Sequence, residues 1–211
     1  MGYGGFLVMI FLPTFAASNA LAQEQPCKLR KDKDDIKVYA CHTDTSRLKS
    51  IRAEMILSDI TASELKAYLM DVDNYVTWQY NLQEAQVLER INDSEVIMRT
   101  VIDAPWPVSN RESITRMTAR VNEESDELKV EGKVIAHDYP PDKGLVRVPF
   151  SRSSWSVSVV NGNDLKVSYF LNVDPGGSIP AWLVNLAVAE GPYESFRNLK
   201  RQLSEVRQDQ N

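Results

Sequence analysis

The sequence predicts an α+β domain in which a curved, largely antiparallel sheet is followed by one long C-terminal helix. From Ile36 onward, apolar and polar residues mostly alternate with the period of two that is typical of β-strands. Short turn sequences, such as Asn161-Gly162-Asn163, separate successive strand segments, and parallel pairs would need long crossovers instead. The last segment, 178–206, repeats its apolar residues at helical spacing, and 211 residues suit a single domain.

The N-terminal segment predicts export. The first 22 residues carry no charged side chain, and 6–17 form a mostly apolar run that is too short to span a bilayer. Ala20-Leu21-Ala22 offers the small residues that a signal peptidase accepts, so we predict a signal peptide over 1–22 and cleavage before Gln23. The mature chain would then be periplasmic or secreted. Because no Lys or Arg precedes the apolar run, a buried N-terminal helix is the alternative.

The chain has two cysteines, Cys27 and Cys41, both in the part that remains after cleavage. In an oxidising compartment, two cysteines this close in sequence are expected to form a disulfide. If the chain stayed in the cytosol, two unpaired thiols would be expected instead.

The first strands and the first helix follow from local patterns. Strand alternation begins near 36–40 and continues at 51–57. A helix is then predicted to begin after Thr61, which forms a capping box with Glu64 and precedes an apolar helical stripe. Six further strand segments are predicted, at 84–91, 95–102, 112–121, 128–137, 155–160 and 165–173.

The C-terminal helix has two unlike halves. Its first half, 179–189, is apolar almost all round, whereas its second half carries one apolar stripe. Gly191-Pro192 lies between the halves, where proline removes a helical hydrogen bond and predicts a kink. A helix that is apolar on all sides must be buried or must face something apolar. Simple packing on the sheet and the wall of a cavity both satisfy this requirement.

Composition and motifs argue against several functions. The 24 Lys+Arg against 29 Asp+Glu give a net charge of −5, which argues against nucleic acid as a partner. The count of two histidines and two cysteines argues against a zinc site built from those residues, and no phosphate-binding, dinucleotide-binding or nucleophile-elbow motif is present. We therefore predict no metal, no cofactor and no catalytic residue. Were the domain an enzyme, the candidate residues would be His137, Asp103 and Tyr169.

Three segments, in this order, resemble motifs of one protein family. They are DVDNYVTW at 71–78, PWPVSNRE at 105–112 and DPGGSIPAWLVN at 174–185. Together they resemble the START family, which comprises lipid-transfer domains related to the steroidogenic acute regulatory protein. Glu112 stands where the family usually has Asp, a mild departure. The resemblance assigns 36–207 to a START-like domain and leaves 23–35 as an N-terminal segment.

The resemblance implies a helix-grip fold, in which the sheet bends around the C-terminal helix and leaves an internal apolar cavity. The cavity would hold one hydrophobic ligand, namely a sterol, a phospholipid or an acyl lipid. The expected protein is a monomer that touches a membrane surface transiently and has no enzymatic activity. Because related helix-grip folds host cyclases and hydratases, such an enzyme is the alternative. A lid is implied near the end of the cavity, formed by Val148, Pro149, Phe150, Ile179 and Trp182.

Sterol-binding relatives often place an acid–arginine pair in the cavity. Counting from Arg111, which the family shares, those positions fall on Met98 and Met117, which indicates an apolar cavity. If gaps shift the register by two, Arg99 and Arg116 are the arginines to consider. The phase of the predicted strands and helix then gives the expected cavity wall: Met98, Thr100, Ile102, Thr115, Met117, Val130, Val134, Trp155, Val157, Tyr169, Leu171, Leu183 and Leu186.

Three further residues match family positions, and we expect each to have a structural role. Trp78 would fill the junction between helix and sheet, and Arg111 would tie a loop to the domain. Trp106, within the second motif, is expected to be structural as well.

Overall fold

The structure is a computed structural model that describes Met1 and residues 27–41, 49–162 and 164–208. Within these ranges, residues 49, 181, 182, 185–187, 207 and 208 are described by their backbone alone. The predicted signal peptide, apart from Met1, and the predicted cleavage site before Gln23 lie outside the described residues. In the described part of the chain, no helix combines the length and the apolar character needed to cross a bilayer.

In the described residues, ten strands form one sheet. The strands are β1 (Cys27–Lys33), β2 (Ile36–Cys41), β3 (Lys49–Leu57), β4 (Leu82–Asn92), β5 (Glu95–Ile102), β6 (Arg111–Asn122), β7 (Glu127–Val134), β8 (Val146–Arg147), β9 (Phe150–Val160) and β10 (Asp164–Asp174). Their order across the sheet is β1-β2-β3-β10-β9-β7-β6-β5-β4, and β8 pairs with β6. All pairings are antiparallel except β6 with β8, which confirms the predicted antiparallel sheet.

The helices begin and end close to their predicted positions. Helix α1 (Ala62–Met70) has the predicted capping box, since the Glu64 backbone N–H donates to Thr61 Oγ1 at 3.2 Å and the Thr61 N–H donates to Glu64 Oε2 at 2.7 Å. A 3₁₀ turn (Val72–Asn74) and the short helix α2 (Tyr75–Trp78) follow. The C-terminal helix α3 (Ala181–Gln208) is continuous through Pro192.

Helix α3 begins three residues later than the sequence pattern predicted. The backbone N–H groups of Leu183 and Val184 both donate to the carbonyl oxygen of Pro180, so Pro180 precedes the first turn. Gly176 and Gly177, which come just before, have φ values of 69° and 62°, in the left-handed region that glycine tolerates best. The chain therefore turns at 174–180 and enters the helix only at Ala181.

Two strand boundaries differ from the predictions. Strand β7 ends at Val134 rather than at His137, because the chain leaves the sheet there for a long connection to β8. Strand β9 begins at Phe150 rather than at Trp155. Its first half is rich in serine, which has no strong strand preference, yet it pairs residue by residue with the end of β10. The missed half-strand contributes to the functional site described below.

A hairpin of β1 and β2 holds the C-terminal helix. Cys27 and Cys41, directly opposite each other in this pair, are joined by a disulfide. Lys31 Nζ lies 2.6 Å from a Glu190 carboxylate oxygen and 3.8 Å from the centre of the Tyr193 ring. Part of the segment assigned to 23–35 as a separate N-terminal region is thus a strand of the sheet that contacts the middle of α3.

Strand alternation divides the sheet into a concave face, which packs against the helices, and an outer face. On the concave face, Val96 and Met117 are neighbours on β5 and β6, and Leu128 and Val157 are neighbours on β7 and β9. These residues belong to the same buried core as Phe196 of α3. The arrangement is the predicted helix grip, a curved antiparallel sheet around a C-terminal helix.

Candidate functional site

The concave face is tightly packed at one end and accessible at the other. Near α1, the inward residues Ala119, Leu128 and Leu165 are buried. Toward the opposite ends of the same strands, inward residues such as Val134 and Leu171 are partly exposed, although they point into the bend of the sheet. The accessible inward surface is the candidate functional site.

Aromatic rings separate the packed end from the accessible end. The Trp155 ring lies 4.8 Å from the Tyr169 ring and 5.3 Å from the Phe196 ring, centre to centre, and 6.3 Å from Trp78. We call these four residues the aromatic floor. Burial raises the pKa of the Tyr169 phenol further above its ordinary value. The predicted position of Trp78, at the junction of helix and sheet, agrees with its contacts in the floor.

The two methionines at the expected charge-pair positions both point inward. Met98 is opposite Thr115, and Met117 is opposite Val96, on the adjacent strands β5 and β6. Both methionines are buried, and the Tyr75 hydroxyl lies 3.2 Å from Met117 Sδ. The two positions at which the resemblance led us to consider a charge pair are therefore apolar.

The two alternative arginines do not reach the site. Arg99 lies on the outer face of the sheet, where its Nε donates to Glu112 Oε2 at 3.2 Å and its Nη1 donates to Glu84 Oε2 at 2.9 Å. Arg116 is exposed and pairs with Glu95. The prediction that a shifted register would bring Arg99 or Arg116 into the cavity is wrong, because strand alternation turns both away from it.

Hydroxyl groups occupy one side of the accessible surface. Thr100 Oγ1 and Ser113 Oγ are 2.8 Å apart, and Ser113 Oγ and Thr115 Oγ1 are 3.4 Å apart. On β9, Ser153 lies beside Gly132, because a Cβ added at Gly132 would be 2.5 Å from Ser153 Oγ and 3.5 Å from Thr115 Cγ2. We call Thr100, Ser113, Thr115 and Ser153 the hydroxyl belt. Neither Ser113 nor Ser153 is in the predicted cavity wall. Alternation along the predicted strand 112–121 would have selected Ser113, whereas Ser153 precedes the predicted strand 155–160.

A cleft of about 520 Å³ lies at the accessible end, where the β5–β6 loop, β8 and the turn before α3 meet. We call it the mouth cleft; it is lined by Pro107, Val108, Ser109, Arg111, Val146, Gly177, Ser178, Ile179 and Pro180.

Arg111 ties the elements of the mouth cleft together, as expected. Its guanidinium donates to the carbonyl oxygen of Ser109 and, at 3.2 Å, to that of Gly176. Its side chain is buried, and this burial lowers its pKa. Two nitrogens of the guanidinium thus bind backbone carbonyl oxygens in the two segments that border the cleft.

Two predictions about the rim are wrong. Trp106, expected to be structural, is 90% exposed, and it directly precedes the cleft residues Pro107 and Val108. Ile102, expected in the cavity wall, is 45% exposed because strand β5 ends there. Both residues are therefore apolar groups on the surface near the mouth cleft.

The other residues predicted for the cavity wall, where their side chains are described, are either partly exposed or buried. Thr115, Val134, Tyr169 and Leu171 face inward and are partly exposed, whereas the side chain of Leu186 lies outside the described residues. The inward or helix-borne residues that are buried are Met98, Thr100, Met117, Val130, Trp155, Val157 and Leu183.

The lid residues have different surroundings. Val148 is buried, and its backbone N–H donates to the carbonyl oxygen of Glu112 at 2.9 Å, so it is not part of an exposed loop tip. Pro149 is exposed, and Phe150 is partly exposed at the start of β9. Ile179 is partly exposed and lines the mouth cleft, whereas the side chain of Trp182 lies outside the described residues.

The candidate residues for an enzyme have separate surroundings. His137 and Asp103 are exposed, and His137 Nδ1 accepts a hydrogen bond from the Tyr139 backbone N–H at 3.0 Å. Tyr169 instead belongs to the aromatic floor. In the parts of the chain that the structure describes, no three potential ligands from His, Cys, Asp and Glu lie together as a metal site.

Comparison with known proteins connects this geometry with one family. Residues 16–209 match the START domain. An uncharacterized protein of Pseudomonas aeruginosa is 31% identical over 192 residues, which cover 87% of this chain and 89% of that protein. The mouse phosphatidylcholine transfer protein is 24% identical over 159 residues, which cover 74% of this chain and 73% of that protein.

A solved structure gives the same result. The STAR-related lipid transfer protein of Xanthomonas axonopodis superimposes with a TM-score of 0.75 at 30% sequence identity. The match covers 84% of this chain and 98% of that one.

Proposed function

The chain belongs to the START domain family, and on this premise we propose that it binds one hydrophobic lipid on the concave face of its sheet and transfers it between membranes. The observation that carries the proposal is the partly exposed inward surface, which begins at the aromatic floor and ends near the mouth cleft. The names of the Xanthomonas and mouse relatives, which describe lipid transfer, support it.

Burial of the acyl chains supplies the free energy for binding. Each methylene exposed to water costs about 0.8 kcal/mol, so a lipid with about 14 of them resists leaving a membrane by roughly 11 kcal/mol. An apolar enclosure in the protein offsets this cost during transfer. The lipid would enter and leave through the mouth cleft, with Pro149, Phe150, Ile179 and Trp182 as the residues that move.

The binding proposal is tested by extracting lipid from the purified protein. The chain from Gln23 onward is purified without detergent, extracted with organic solvent and analysed by mass spectrometry, both directly and after incubation with mixed liposomes. We expect one lipid class near one molecule per protein. An extract that stays empty after incubation would contradict the proposal.

Membrane contact is proposed at the rim of the mouth cleft. A tryptophan that is 90% exposed is unusual in a folded domain, and its ring suits the interface between water and lipid. Trp106 directly precedes the cleft through which the lipid would pass. It would therefore insert into the membrane surface and hold the open end of the site against it.

The replacement Trp106→Ala is expected to lower vesicle partitioning and the rate of lipid transfer by about tenfold. The reason is that the variant loses most of the apolar area that the indole ring would bury in the membrane. The melting temperature should not change, because the ring makes little contact within the fold. Vesicle co-sedimentation and a fluorescent-lipid transfer assay measure the two effects. Tyr80→Ala, which removes a 41% exposed aromatic residue that does not line the cleft, is the control. Equal losses of vesicle partitioning and transfer rate in Trp106→Ala and Tyr80→Ala would contradict a specific role of Trp106 in membrane contact.

We also propose that the chain is exported and acts as a monomer. The uncharged, apolar start of the sequence supports export, and a Cys27–Cys41 disulfide suits an oxidising compartment. Intact-mass measurement of protein recovered from outside the cytoplasm should give a chain that begins at Gln23. A recovered chain that retains the first 22 residues would contradict the cleavage prediction.

A further inference from the structure

Two arginines are buried among the described residues, and they differ in their counter-ions. Arg99 forms ion pairs with Glu84, Glu112 and Asp142 on the outer face of the sheet. Arg111, which is only 7% exposed, forms no ion pair with any residue that the structure describes. A buried charge costs free energy unless an opposite charge lies beside it. Arg111 is therefore a buried cation that lacks an anionic partner.

The Arg111 guanidinium also has unused hydrogen-bond donors. Its Nη1 donates to the carbonyl oxygen of Ser109, and its Nη2 donates to that of Gly176 at 3.2 Å. The Nε–H group is buried and has no partner in the described part of the chain. Carbonyl oxygens carry no net charge, so these two bonds orient the guanidinium without neutralising it.

The mouth cleft presents this cation without an acid in its lining. Arg111 lines the cleft, and a Cβ added at Gly177 would be 3.7 Å from Arg111 Nη2. None of the residues that line the cleft is Asp or Glu. The carboxylate of Asp174, in the adjoining turn, already accepts a hydrogen bond from the Gly176 backbone N–H at 2.9 Å. The cleft therefore offers a positive charge to a ligand that brings a negative one.

Other groups around the cleft favour the same ligand chemistry. Ile179 and Pro180 line the cleft and directly precede α3, whose first turn contains no acidic residue. The first N–H groups of a helix have no acceptor within it, and its dipole adds partial positive charge there. The exposed Ser109 and Ser178 add hydroxyl donors to the lining. Phosphate and carboxylate oxygens match this set of donors.

The cleft is continuous with the concave face of the sheet. Arg111, Ser113 and Thr115 are alternate residues of β6, so the strand places them on one face, and Met117 follows deeper in the fold. Leu171 of β10 is partly exposed on the same concave surface. An amphipathic molecule can therefore place a charged end beside Arg111 and its apolar part along the sheet.

We propose that the bound lipid has an anionic head group, a phosphate or a carboxylate, that pairs with Arg111 in the mouth cleft. Its acyl chains lie over Leu171 and extend toward the aromatic floor. This inference rests on the proposed lipid binding and narrows its substrate. A zwitterionic head group would also bring a cation, and the described lining has neither a carboxylate nor an aromatic ring to receive it.

Lipids that differ only in the head group test the proposal. The protein is incubated with vesicles that hold equal mole fractions of dioleoylphosphatidic acid, dioleoylglycerol and dioleoylphosphatidylcholine, then separated by gel filtration, and its lipid is quantified by mass spectrometry. We expect dioleoylphosphatidic acid to exceed each of the others by at least about tenfold. Equal or greater uptake of either other lipid overturns the anionic-ligand inference but leaves lipid binding intact. No uptake of any lipid overturns both.

Inorganic phosphate distinguishes a lipid head group from a free anion of the same chemistry. The uptake measurement is repeated with inorganic phosphate in excess over the lipid phosphate. A preference for dioleoylphosphatidic acid that persists supports the lipid, because burial of its chains adds to its affinity. A preference that inorganic phosphate abolishes would assign the cleft to the free anion and overturn the lipid assignment.

A pair of variants at Ser178 separates charge from size. Ser178→Asp places a carboxylate in the cleft as a competing partner for Arg111, so uptake of dioleoylphosphatidic acid should fall by about tenfold and that of dioleoylglycerol should not change. Ser178→Asn, of the same size but uncharged, is the matched control and should behave like wild type. Because Ser178 is exposed, both variants should keep the wild-type melting temperature. Equal uptake of dioleoylphosphatidic acid by the two variants would contradict the proposal.

Removal of the cation is the complementary test. Arg111→Gln should lose the preference for dioleoylphosphatidic acid over dioleoylglycerol. Because Arg111 also binds two backbone carbonyl oxygens, the melting temperature of this variant is measured alongside. If Arg111→Gln does not fold, Ser178→Asp decides the question, since it leaves those bonds in place. A folded Arg111→Gln protein that keeps the preference would overturn the proposal.

Discussion

Replacement of Glu112 by alanine is expected to lower the free energy of unfolding by about 3–5 kcal/mol. The carboxylate is fully buried; its Oε2 accepts from Arg99 Nε at 3.2 Å, and its Oε1 accepts from Arg147 Nε at 3.0 Å. The Asp142 backbone N–H also donates to Oε1, at 3.3 Å. Without Glu112, the buried Arg99 loses its buried counter-ion and keeps two exposed ones, Glu84 and Asp142. Urea unfolding followed by circular dichroism measures the loss.

An exposed ion pair in the same sheet provides the control for this effect. Glu95 Oε1 lies 3.5 Å from Arg116 Nε; the Arg116 side chain is exposed and that of Glu95 is partly exposed. Glu95→Gln should therefore change the free energy of unfolding by no more than about 1 kcal/mol. If Glu112→Ala proved as stable as Glu95→Gln, the buried cluster would not stabilise the fold as argued.

The Glu112 cluster also joins the connection between β7 and β9 to the outer face of the sheet. Arg147 belongs to β8, and Glu112 and Arg147 are paired residues of β6 and β8. Arg147 and Asp142 both belong to the connection between β7 and β9, so their bonds to Glu112 fasten it to the outer face. Movement for lipid entry is then expected on the mouth side, at the turn before α3, rather than at Val148.

The fold was predictable because its signals are local. The strand predicted at 95–102 and the capping box of Thr61 and Glu64 depend on neighbouring residues alone, and both are observed as predicted. The beginning of β9 was missed because serines weaken its alternation, and its pairing partner is β10, which comes later in the chain. Tertiary pairing, not intrinsic preference, makes that segment a strand.

Residues of the site could be predicted only where the sequence made clear which residues of a strand face inward. Met98 and Met117 were placed inward correctly by phase. Trp106 was misjudged because a sequence motif does not reveal whether a loop residue points into the fold or away from it. Ser153 was missed because a polar residue in an undetected half-strand carries no sign of facing inward. Trp106 is the residue on which the membrane proposal now depends.

Filling the accessible surface with a larger ring should abolish lipid binding while leaving a folded protein. Leu171 is partly exposed on the concave face, opposite Ser153 on one side and Ile51 on the other. An indole at this position would occupy the space assigned to the acyl chains. In Leu171→Trp we expect bound lipid to fall by at least about tenfold, with a stability loss of about 1–3 kcal/mol from overpacking. Mass spectrometry of extracts and urea unfolding measure both quantities.

The adjacent residue supplies a matched control, because strand alternation turns it to the other face. Phe170 is opposite Arg52 and Ser154 on the outer side of the sheet. Phe170→Trp introduces the same ring one residue away and should retain the wild-type lipid load. A folded Leu171→Trp protein that also kept its full load would place the lipid somewhere other than the concave face. Loss in Leu171→Trp alone would instead locate the ligand beside β10, where the hydroxyl belt meets aliphatic side chains.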